Sequence, residues 1–560
     1  MSLDKLADNI VETDVLVVGG GIAGLPCAHK LAENGLKVVM AEKADSRRSG
    51  SAGQGIDHYS GFMPEDMTPA QFKEIWDKMG PGAFFGGADF SPPTRLYRTM
   101  LGRKWASDEL EKMGVPMKWD DGEYRVIDIK YHGGWKSLRV HWMNVKPIMA
   151  KACKKMGVHM MERTMITDLL TDGNRVIGAT AVNTRTGEFT VIKCKATVMA
   201  TGAFARLYNP ETPLPWKYKF RYHWCPASVS GDSWAMAYRA GAELGNMEQT
   251  ERGYRFRDDL TLSYGNVRGD GLESRRLCWN GDESRRAGSI ELERQGMDPF
   301  YYSLEHLPED YHKRIEVAYV DERLLSFKIA EERGFNPKTH RYEMMDHRPN
   351  QLNCPPGIVT DDNWKTNLDG LYAIGDTVAG NHNVAACAVT GFLVAEHLPN
   401  VIGSLPEPNV SEAQVEEQKE MNMKPSAVKG DGTEPMELEC AVRYAVERYV
   451  GMFRAQGKLQ EGLRRLTSLR KKFLDEVKAT NPHYLMRAIE VRNIMDLTRL
   501  HMKACLERKE TRGQFIRLDF PEQDAQYDAK VMNMYLKDGE DTIEWKELPE
   551  FDMNYKEERK

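Results

Sequence analysis

Gly19-Gly20-Gly21-Ile22-Ala23-Gly24 is the stretch that decides the fold, because of what lies on each side of it. The segment 13–18, with its apolar run from Val15 to Val18, predicts a buried strand, and the residues after the glycines follow a helical pattern to about Asn34. A second strand is predicted from Lys37 to Glu42, so an acidic residue follows the last glycine by 18 positions. Strand, glycine turn, helix, strand and acid in this order form the dinucleotide-binding fingerprint.

Each part of this fingerprint has a physical role in holding a nucleotide. Glycines are needed because the backbone must turn tightly, come close to a pyrophosphate and let the helix pack on the sheet. The N-terminus of the helix then faces the phosphate charge, and Glu42 can accept hydrogen bonds from a ribose diol. We therefore assign the following residues to a dinucleotide cofactor: Gly19, Gly21, Ala23, Gly24, Glu42 and Lys43.

Two later segments read as further strands of the same sheet, although they lie far along the chain. One runs from 196 into Ala200-Thr201-Gly202, and the other runs from 370 into Gly375-Asp376. Open α/β sheets bind ligands at the carboxyl ends of their parallel strands. The small residues at both strand ends are therefore predicted to border the cofactor, and the Asp376 carboxylate could hold a cofactor polyol.

Length and charge limit the class of protein. The chain has 560 residues, with 77 Lys and Arg against 83 Asp and Glu, a net charge of −6. Single cores stop growing near roughly 250–300 residues, so at least two packed units are expected. Interspersed, slightly acidic charge provides no basic field for a nucleic acid. No stretch approaches ~18 uncharged apolar residues, which predicts a cytoplasmic protein.

The nine cysteines are scattered and form no CxxC pair. We expect reduced thiols and no iron–sulfur cluster ligated by this chain alone. Changes in composition predict three units. An α/β nucleotide-binding domain is formed by two parts, 1–246 and 346–405, and a cap at 247–345 is inserted between them. A helical unit with a C-terminal tail follows at 406–560. Within the last segment, 406–435 reads as a polar connector, 437–509 is helical, and the aromatic tail from Arg512 wraps the body or a partner.

These motifs resemble those of the fumarate reductase and succinate dehydrogenase flavoprotein superfamily. The resemblance rests on the glycine motif with Glu42, the stretch 48–55, and the strand ends at 200–202 and 373–376. Within that superfamily, the segments 485–488, 508–513 and 519–521 resemble the alpha subunit of dissimilatory adenylylsulfate reductase most closely. The resemblance implies a discontinuous, Rossmann-like FAD-binding domain, an inserted α+β capping domain and a C-terminal helical domain.

The resemblance also implies that the cofactor is FAD. In the succinate and fumarate enzymes a histidine often carries the flavin covalently, but the corresponding stretch 47–51 contains no histidine, which predicts non-covalent FAD. The backbone amides from Ser49 to Gly55 would line the isoalloxazine ring. On the family pattern we assign these further residues to FAD: Ser49, Gly50, Gln54, Gly55, Asp232 and Asn381, besides Ala200, Thr201, Gly202, Gly375 and Asp376.

For catalysis, the resemblance implies an arginine supplied by the cap. Arg268-Gly269-Asp270-Gly271 matches the family's Arg-Gly-Glu-Gly, so Arg268 is predicted to deliver a proton or bind an anion. Because an arginine normally keeps its proton, Asp270 would have to restore it. Trp224 matches the active-site tryptophan of adenylylsulfate reductase in spacing, and its ring could stack on a planar substrate.

Several family substrate groups are missing from the sequence. The stretch 250–256 lacks the His-Pro-Thr-Gly motif, which argues against fumarate or succinate as substrate. Positions that carry an arginine, a histidine and a glutamate in adenylylsulfate reductase hold Thr250, Leu352 and Met143 here. Replacement polar groups are proposed from the remaining residues, with His382 the best placed to donate to a substrate or to the flavin: Arg252, Arg255, Arg275, His347, Arg348, Asn381 and His382.

The sequence contains one dinucleotide fingerprint, so a second nucleotide site for NADH or NADPH has no support. The family resemblance implies that electrons pass through a separate, ferredoxin-like iron–sulfur subunit, with membrane association only through a partner. Three functions stay open: an enzyme acting on a small anionic metabolite, such as an unsaturated acid, a thioester or a sulfur oxyanion; an electron relay without a substrate of its own; and an adenylylsulfate reductase alpha subunit. Whether such heterodimers assemble further also stays open.

Overall fold

The computed structural model describes most of the chain, with gaps. The described residues are 2–53, 55–62, 67–79, 91–124, 126–131, 135–208, 226–253, 277–278, 301–303, 332, 334, 336, 339, 341–343, 348–351, 356–380, 383–512 and 515–556. Much of the predicted cap at 247–345 therefore lies outside the described residues, and the three predicted domain boundaries stay predictions.

Twenty-one strands and eleven α-helices are found among the described residues. The strands are β1 (Asn9–Val18), β2 (Val38–Glu42), β3 (Ile56–Phe62), β4 (Val126–Tyr131), β5 (Trp135–Trp142), β6 (His159–Glu162), β7 (Thr164–Asp172), β8 (Arg175–Asn183), β9 (Phe189–Met199), β10 (Leu244–Gly245), β11 (Glu251–Gly253), β12 (Leu277–Cys278), β13 (Tyr301–Ser303), β14 (Arg341–Glu343), β15 (Arg348–Gln351), β16 (Gly357–Ile358), β17 (Leu371–Ala373), β18 (Phe453–Arg454), β19 (Ile516–Arg517), β20 (Lys530–Lys537) and β21 (Glu540–Glu547). The helices are α1 (Leu3–Leu6), α2 (Gly24–Glu33), α3 (Pro69–Met79), α4 (Pro93–Lys112), α5 (Val145–Met156), α6 (Asp232–Arg239), α7 (Val384–Val401), α8 (Glu412–Ala427), α9 (Pro435–Tyr449), α10 (Gln456–Phe473) and α11 (Pro482–Glu507).

The largest sheet in the described part of the chain has seven strands in the order β6-β2-β1-β9-β8-β7, with β17 also paired to β9. Strand β1 pairs in parallel with both β2 and β9, and its end at 15–18 is buried, as an apolar run covered on both faces should be. Strand β17 pairs in parallel with the last residues of β9. The predicted Rossmann-like sheet, completed by a strand from far along the chain, is confirmed.

Helices α2 and α7 pack against each other beside this sheet. Helix α7 with the following turn, Val384–Ser404, is long and apolar enough to cross a membrane by length and composition. However, 72% of its most apolar window is buried inside the structure, which is typical of a core helix. Its apolar composition is therefore explained by packing.

The predicted helical unit at 437–509 is confirmed by α9, α10 and α11. The prediction of a polar connector at 406–435 is wrong in part, because this segment contains the 16-residue helix α8. Ser411 caps that helix, and its side-chain oxygen accepts a hydrogen bond from the Gln414 amide. The buried side of α8 includes Gln418 and Asn422, which bind β7 through hydrogen bonds. Because part of the buried side of α8 is polar, the composition of this segment resembles that of a linker.

The sequence predicts that the C-terminal tail wraps either the body of the protein or a partner, and in the structure it wraps the body. Strands β20 and β21 form a hairpin, and β20 pairs with β10, which in turn pairs with β16. Farther on, the ring of Phe551 lies 5.1 Å from that of Phe72 and 5.5 Å from that of Tyr97. The tail thus joins the first part of the chain.

Candidate functional site

A cleft opens where the parallel strands end. Residues that line it follow directly after β1, β2, β9 and β17, so it lies at the carboxyl edge of the main sheet. The space within the cleft is about 850 Å³, including space open to solvent. It brings together twelve of the residues predicted to bind the cofactor: Gly19, Gly21, Ala23, Glu42, Lys43, Gly50, Ala200, Thr201, Gly202, Asp232, Gly375 and Asp376.

The three glycines of the fingerprint have different surroundings. Gly19 has φ +106°, a conformation that favours glycine. A Cβ on Gly24 would stand 1.9 Å from the Gly19 carbonyl oxygen, so this glycine lets α2 pack against the turn. A Cβ on Gly21 would meet its nearest described atom, the Ala200 carbonyl oxygen, at 3.8 Å and would occupy the cleft. Gly21 thus leaves the space that a pyrophosphate at the start of α2 requires.

Glu42 is held at the end of β2 in a way that suits a ribose. One carboxylate oxygen accepts a hydrogen bond from the Gly20 amide and the other from the Ala44 amide, both at 2.8 Å. A carboxylate has about four acceptor positions, so each oxygen can accept a further bond. Because Glu42 also lines the cleft, the residues present fit a nucleotide with a ribose diol.

Lys43 lines the cleft but uses all its donors within the protein. Its ammonium donates to Ser230 Oγ at 2.9 Å, Asp232 Oδ2 at 2.7 Å and Glu490 Oε1 at 2.6 Å. Burial alone would lower the pKa of Lys43, but the two carboxylates outweigh burial and raise the pKa. Lys43 and Asp232 are therefore held as a neutralised part of the cleft wall, and no donor of Lys43 is left for the cofactor.

Glu490, on α11, gives this wall a connection to the helical unit that the sequence did not suggest. Its carboxylate is fully buried and also accepts a hydrogen bond from Arg206, which in turn pairs with Glu439 on α9. Burial would raise the pKa of Glu490, but Lys43 and Arg206 dominate and lower it to about 2. No sequence signal marks Glu490, since it stands 447 residues after Lys43.

The glycine-rich loop after β2 forms another wall. Gly50, Ser51 and Ala52 line the cleft, whereas Ser49 does not line it and accepts hydrogen bonds from the Lys146 ammonium with its hydroxyl and its carbonyl oxygen. Gly55 has φ +111° and does not line the cleft. Gln54 lies outside the described residues. Lys146 is a second buried residue that the sequence did not reveal.

The ends of β9 and β17 are joined at the cleft. The Gly202 amide donates to Thr377 Oγ1 at 3.0 Å. Asp376 lines the cleft and accepts a hydrogen bond from the Cys387 thiol at 3.2 Å, and Cys387 lies in the first turn of α7. This arrangement places a carboxylate at the carboxyl edge of the sheet, as the sequence predicted.

The predicted catalytic residues are not placed by the described part of the chain. Arg268, Trp224, His382 and His347 lie outside the described residues, as does Asn381. For Arg252 only the backbone is described, in β11, which pairs with β15. The roles of these side chains stay predictions.

Two family models match the chain. A model described as FAD binding domain matches residues 14–251, and one described as fumarate reductase flavoprotein C-term matches residues 441–559. The first match contains the glycine fingerprint, Glu42 and the end of β9. The second contains most of the three helices of the C-terminal unit, and the tail.

Relatives of known name match over nearly the whole chain. A subunit of the CoM/CoB fumarate reductase of Methanothermobacter marburgensis is 24% identical, covering 94% of this chain and 98% of that protein. "L-aspartate oxidase" of Yersinia pestis is 27% identical, and the match covers 91% of this chain and 96% of that protein. Among solved structures, adenylylsulfate reductase from Archaeoglobus fulgidus has a TM-score of 0.77 at 21% identity, covering 99% of this chain and 98% of that chain. An E. coli quinol fumarate reductase has a TM-score of 0.73 at 19% identity, and the match covers 96% of this chain and 97% of that chain.

Proposed function

Since this chain belongs to the FAD-dependent oxidoreductases of the fumarate reductase type, we propose that it is a catalytic subunit that reduces or oxidises a small anionic metabolite by two electrons. The observation that carries the proposal is the cleft at the carboxyl edge of the sheet, where the fingerprint glycines, Glu42 and Asp376 meet. These residues would hold FAD, which exchanges electron pairs with a substrate when bound.

The names of the relatives support an anionic substrate class. They are named for fumarate, for L-aspartate and for adenosine-5-phosphosulfate, all small molecules that carry negative charge. For this chain we propose an unsaturated acid, a thioester of such an acid, or a sulfur oxyanion. Fumarate itself is disfavoured, because the histidine of the family's His-Pro-Thr-Gly motif is absent from 250–256.

A buried cation beside that segment also supports an anionic substrate. Arg454 is fully buried, and its Nη2 donates to Thr250 Oγ1 at 3.2 Å. Its Nε and Nη1 atoms have no hydrogen-bond partner among the described residues, and its guanidinium faces the ring of Phe515 at 4.8 Å. A buried cation with no carboxylate partner in the described structure raises the local potential, which favours an anion nearby.

The protein's task in the reaction is to bind the substrate and to manage its proton. In the reduction of a carbon–carbon double bond, one carbon receives a hydride and the other a proton. We assign the proton to Arg268, which Asp270 would reprotonate from solvent, and Arg268 would also bind the substrate's anionic group. In the oxidative direction the same groups would take up the proton.

Electrons are proposed to enter or leave through a second protein. Three fumarate reductase relatives are named as subunits, two of them as flavoprotein subunits, which supports a multi-subunit assembly. The partner that we propose is a ferredoxin-like iron–sulfur protein, because the sequence contains one dinucleotide fingerprint and no cysteine cluster. We propose a cytoplasmic location, with any membrane contact made by the partner.

Two other functions are kept as alternatives. An electron relay without a substrate is favoured by Thr250, Leu352 and Met143, which replace polar groups of the resembled family. An adenylylsulfate reductase alpha subunit is favoured by the C-terminal segments at 485–488 and 508–513 and by the spacing of Trp224, whereas the same three replacements speak against it.

Reoxidation under anoxic conditions distinguishes these functions. The FAD-loaded protein is reduced with dithionite, freed of excess reductant and mixed with fumarate, an enoyl thioester, adenylylsulfate or sulfite, while flavin absorbance is followed. The proposal predicts that an unsaturated acid, a thioester or a sulfur oxyanion other than adenylylsulfate restores the oxidised spectrum within seconds. If only ferredoxins or dyes do so, the chain is a relay; if only adenylylsulfate does so, it belongs to an adenylylsulfate reductase.

A further inference from the structure

Lys146 is a buried cation behind the wall of the FAD cleft. It lies in the first turn of α5 and is 1% exposed. Its ammonium donates to Ser49 Oγ at 2.9 Å and to the Ser49 carbonyl oxygen. Among the residues that the structure describes, no carboxylate forms an ion pair with it. The ammonium is hydrogen-bonded, yet its charge has no contacting counter-charge in this part of the chain.

A buried ammonium without an ion pair costs folding free energy unless another group nearby supplies negative charge. Buried charges in proteins are normally paired, because taking an ion out of water is expensive. The charged groups that face Lys146 are the carboxylates of Glu42 on β2, Glu162 on β6 and Asp45 after β2, all beyond ion-pair distance. Burial outweighs their attraction and lowers the pKa of Lys146 to about 8.

The neighbouring cleft receives a cofactor with the missing charge. Ser49, which Lys146 holds, is followed directly by Gly50, Ser51 and Ala52 in the cleft wall. FAD carries a diphosphate with two negative charges. We propose that Lys146 is a positioning residue for FAD: it fixes the loop that begins at Ser49, and the cofactor's negative charge stabilises its ammonium. This inference rests on the proposed function only in so far as the cleft binds FAD.

If the charge of FAD stabilises the Lys146 ammonium, FAD binding depends on pH, whereas a purely structural role of Lys146 would not produce this dependence. Anionic FAD near the ammonium would raise the pKa of Lys146 above its value in the apoprotein. With a pKa of about 8, Lys146 in the apoprotein loses its proton progressively as the pH rises above 8, so FAD binding must then recover that proton from solvent. The dissociation constant of FAD should therefore be constant below about pH 7.5 and rise up to tenfold per pH unit above about 8.

The test is a titration of apoprotein with FAD, followed by flavin fluorescence between pH 6.5 and 9.5. Wild type is compared with Lys146→Met, Lys146→Arg and Lys151→Met, a control at an exposed lysine of the same helix. At pH 7 we expect at least tenfold weaker binding for Lys146→Met, near-normal binding for Lys146→Arg and no change for Lys151→Met. The wild-type rise above pH 8 should be absent in Lys146→Met, in which Glu42, Glu162 and Asp45 are unchanged.

Folding is monitored separately by the thermal midpoint of each apoprotein. If Lys146→Met does not fold, two measurements on the wild type still test the proposal. One is the pH dependence of the FAD dissociation constant, and the other is calorimetric proton uptake on FAD binding at pH 8.5 in buffers of different ionisation enthalpy. A dissociation constant that is flat from pH 7 to 9.5, or binding by folded Lys146→Met equal to wild type, would overturn the proposal. Failure of the proposed function would be visible elsewhere, as FAD that binds normally but is reoxidised by no metabolite.

Discussion

The ammonium of Lys43, in the wall of the FAD cleft, lies 2.6 Å from a carboxylate oxygen of Glu490, in the C-terminal helix α11. Asn493, one helical turn farther on, donates to Asp232 at 2.9 Å, and Asp232 is the second carboxylate bound to Lys43. Two side chains of the helical unit thus hold two residues of the cleft. The helical unit is therefore part of the cofactor site as a structural support.

Glu490→Gln should destabilise the protein strongly. The substitution leaves Lys43 and Arg206 buried with one counter-charge fewer, and breaking a buried pair costs about 3–5 kcal/mol. We expect the thermal midpoint of the apoprotein to fall by roughly 5 °C or more. The matched control is Glu461→Gln, whose pair with Arg464 lies on the surface, so its loss should leave the midpoint nearly unchanged. Equal midpoints for the two variants would contradict the role of Glu490.

The same carboxylate predicts how stability changes in acid. The folded protein lowers the pKa of Glu490 from its ordinary 4.5 to about 2, so its stabilising effect is complete above pH 4.5. Between pH 4.5 and 2 the unfolded chain binds a proton that the folded chain does not, so stability falls as the pH falls. Thermal midpoints at pH 6, 5, 4 and 3 should fall less steeply for Glu490→Gln than for wild type. Parallel curves would show that Glu490 is not linked to acid unfolding.

Two glycine substitutions in the fingerprint should have different effects. Gly21→Val places atoms in the open cleft, so we expect a folded protein that retains no FAD. Gly24→Val collides with the Gly19 carbonyl, so we expect displaced packing of α2 and a lower thermal midpoint. Gly457→Val, on α10 with no described atom within 4 Å of the added Cβ, is the control. FAD retention is read from absorbance and folding from circular dichroism; normal FAD content in Gly21→Val would refute the placement of the cofactor.

Arg268→Ala should separate cofactor binding from catalysis. If Arg268 delivers the proton, the variant keeps its FAD but loses turnover by about 10³-fold or more, within the range for removal of a proton donor. Turnover is measured with the substrate identified by reoxidation, and Arg185→Ala, at an exposed position, serves as control. Unchanged turnover would remove Arg268 from the mechanism.

The cleft could be predicted from the sequence because its parts are encoded locally. The turn at 19–24 and the acid Glu42 follow one another at fixed spacing, and parallel strands bring the ends at 200–202 and 375–376 to the same edge. Helical periodicity is sufficient to predict a helical unit from about 437 to 509, which the structure divides into α9, α10 and α11. The family resemblance drawn from these motifs is confirmed by the matching family models.

The supports of the cleft could not be predicted in this way. Lys146 and Glu490 lie in ordinary helical segments, and their hydrogen-bond partners Ser49 and Lys43 stand 97 and 447 residues away in the sequence. The sequence does not predict helix α8, because the helix buries Gln418 and Asn422, and polar residues of this kind are typical of a surface. In each case the role of the residue depends on hydrogen bonds or ion pairs with polar groups distant in the sequence, and sequence periodicity does not predict such pairs.

The central claim, that FAD binds non-covalently in the cleft beside Glu42 and Asp376, is tested most directly by flavin analysis. The protein is saturated with FAD, freed of excess by gel filtration and precipitated with acid, and the flavin in the supernatant is quantified against protein. We predict one FAD per chain in the supernatant for wild type and Glu12→Ala, and far less for Glu42→Ala, which loses the proposed ribose contact. Wild-type protein without flavin, flavin that precipitates with the chain, or full retention by Glu42→Ala would contradict the account.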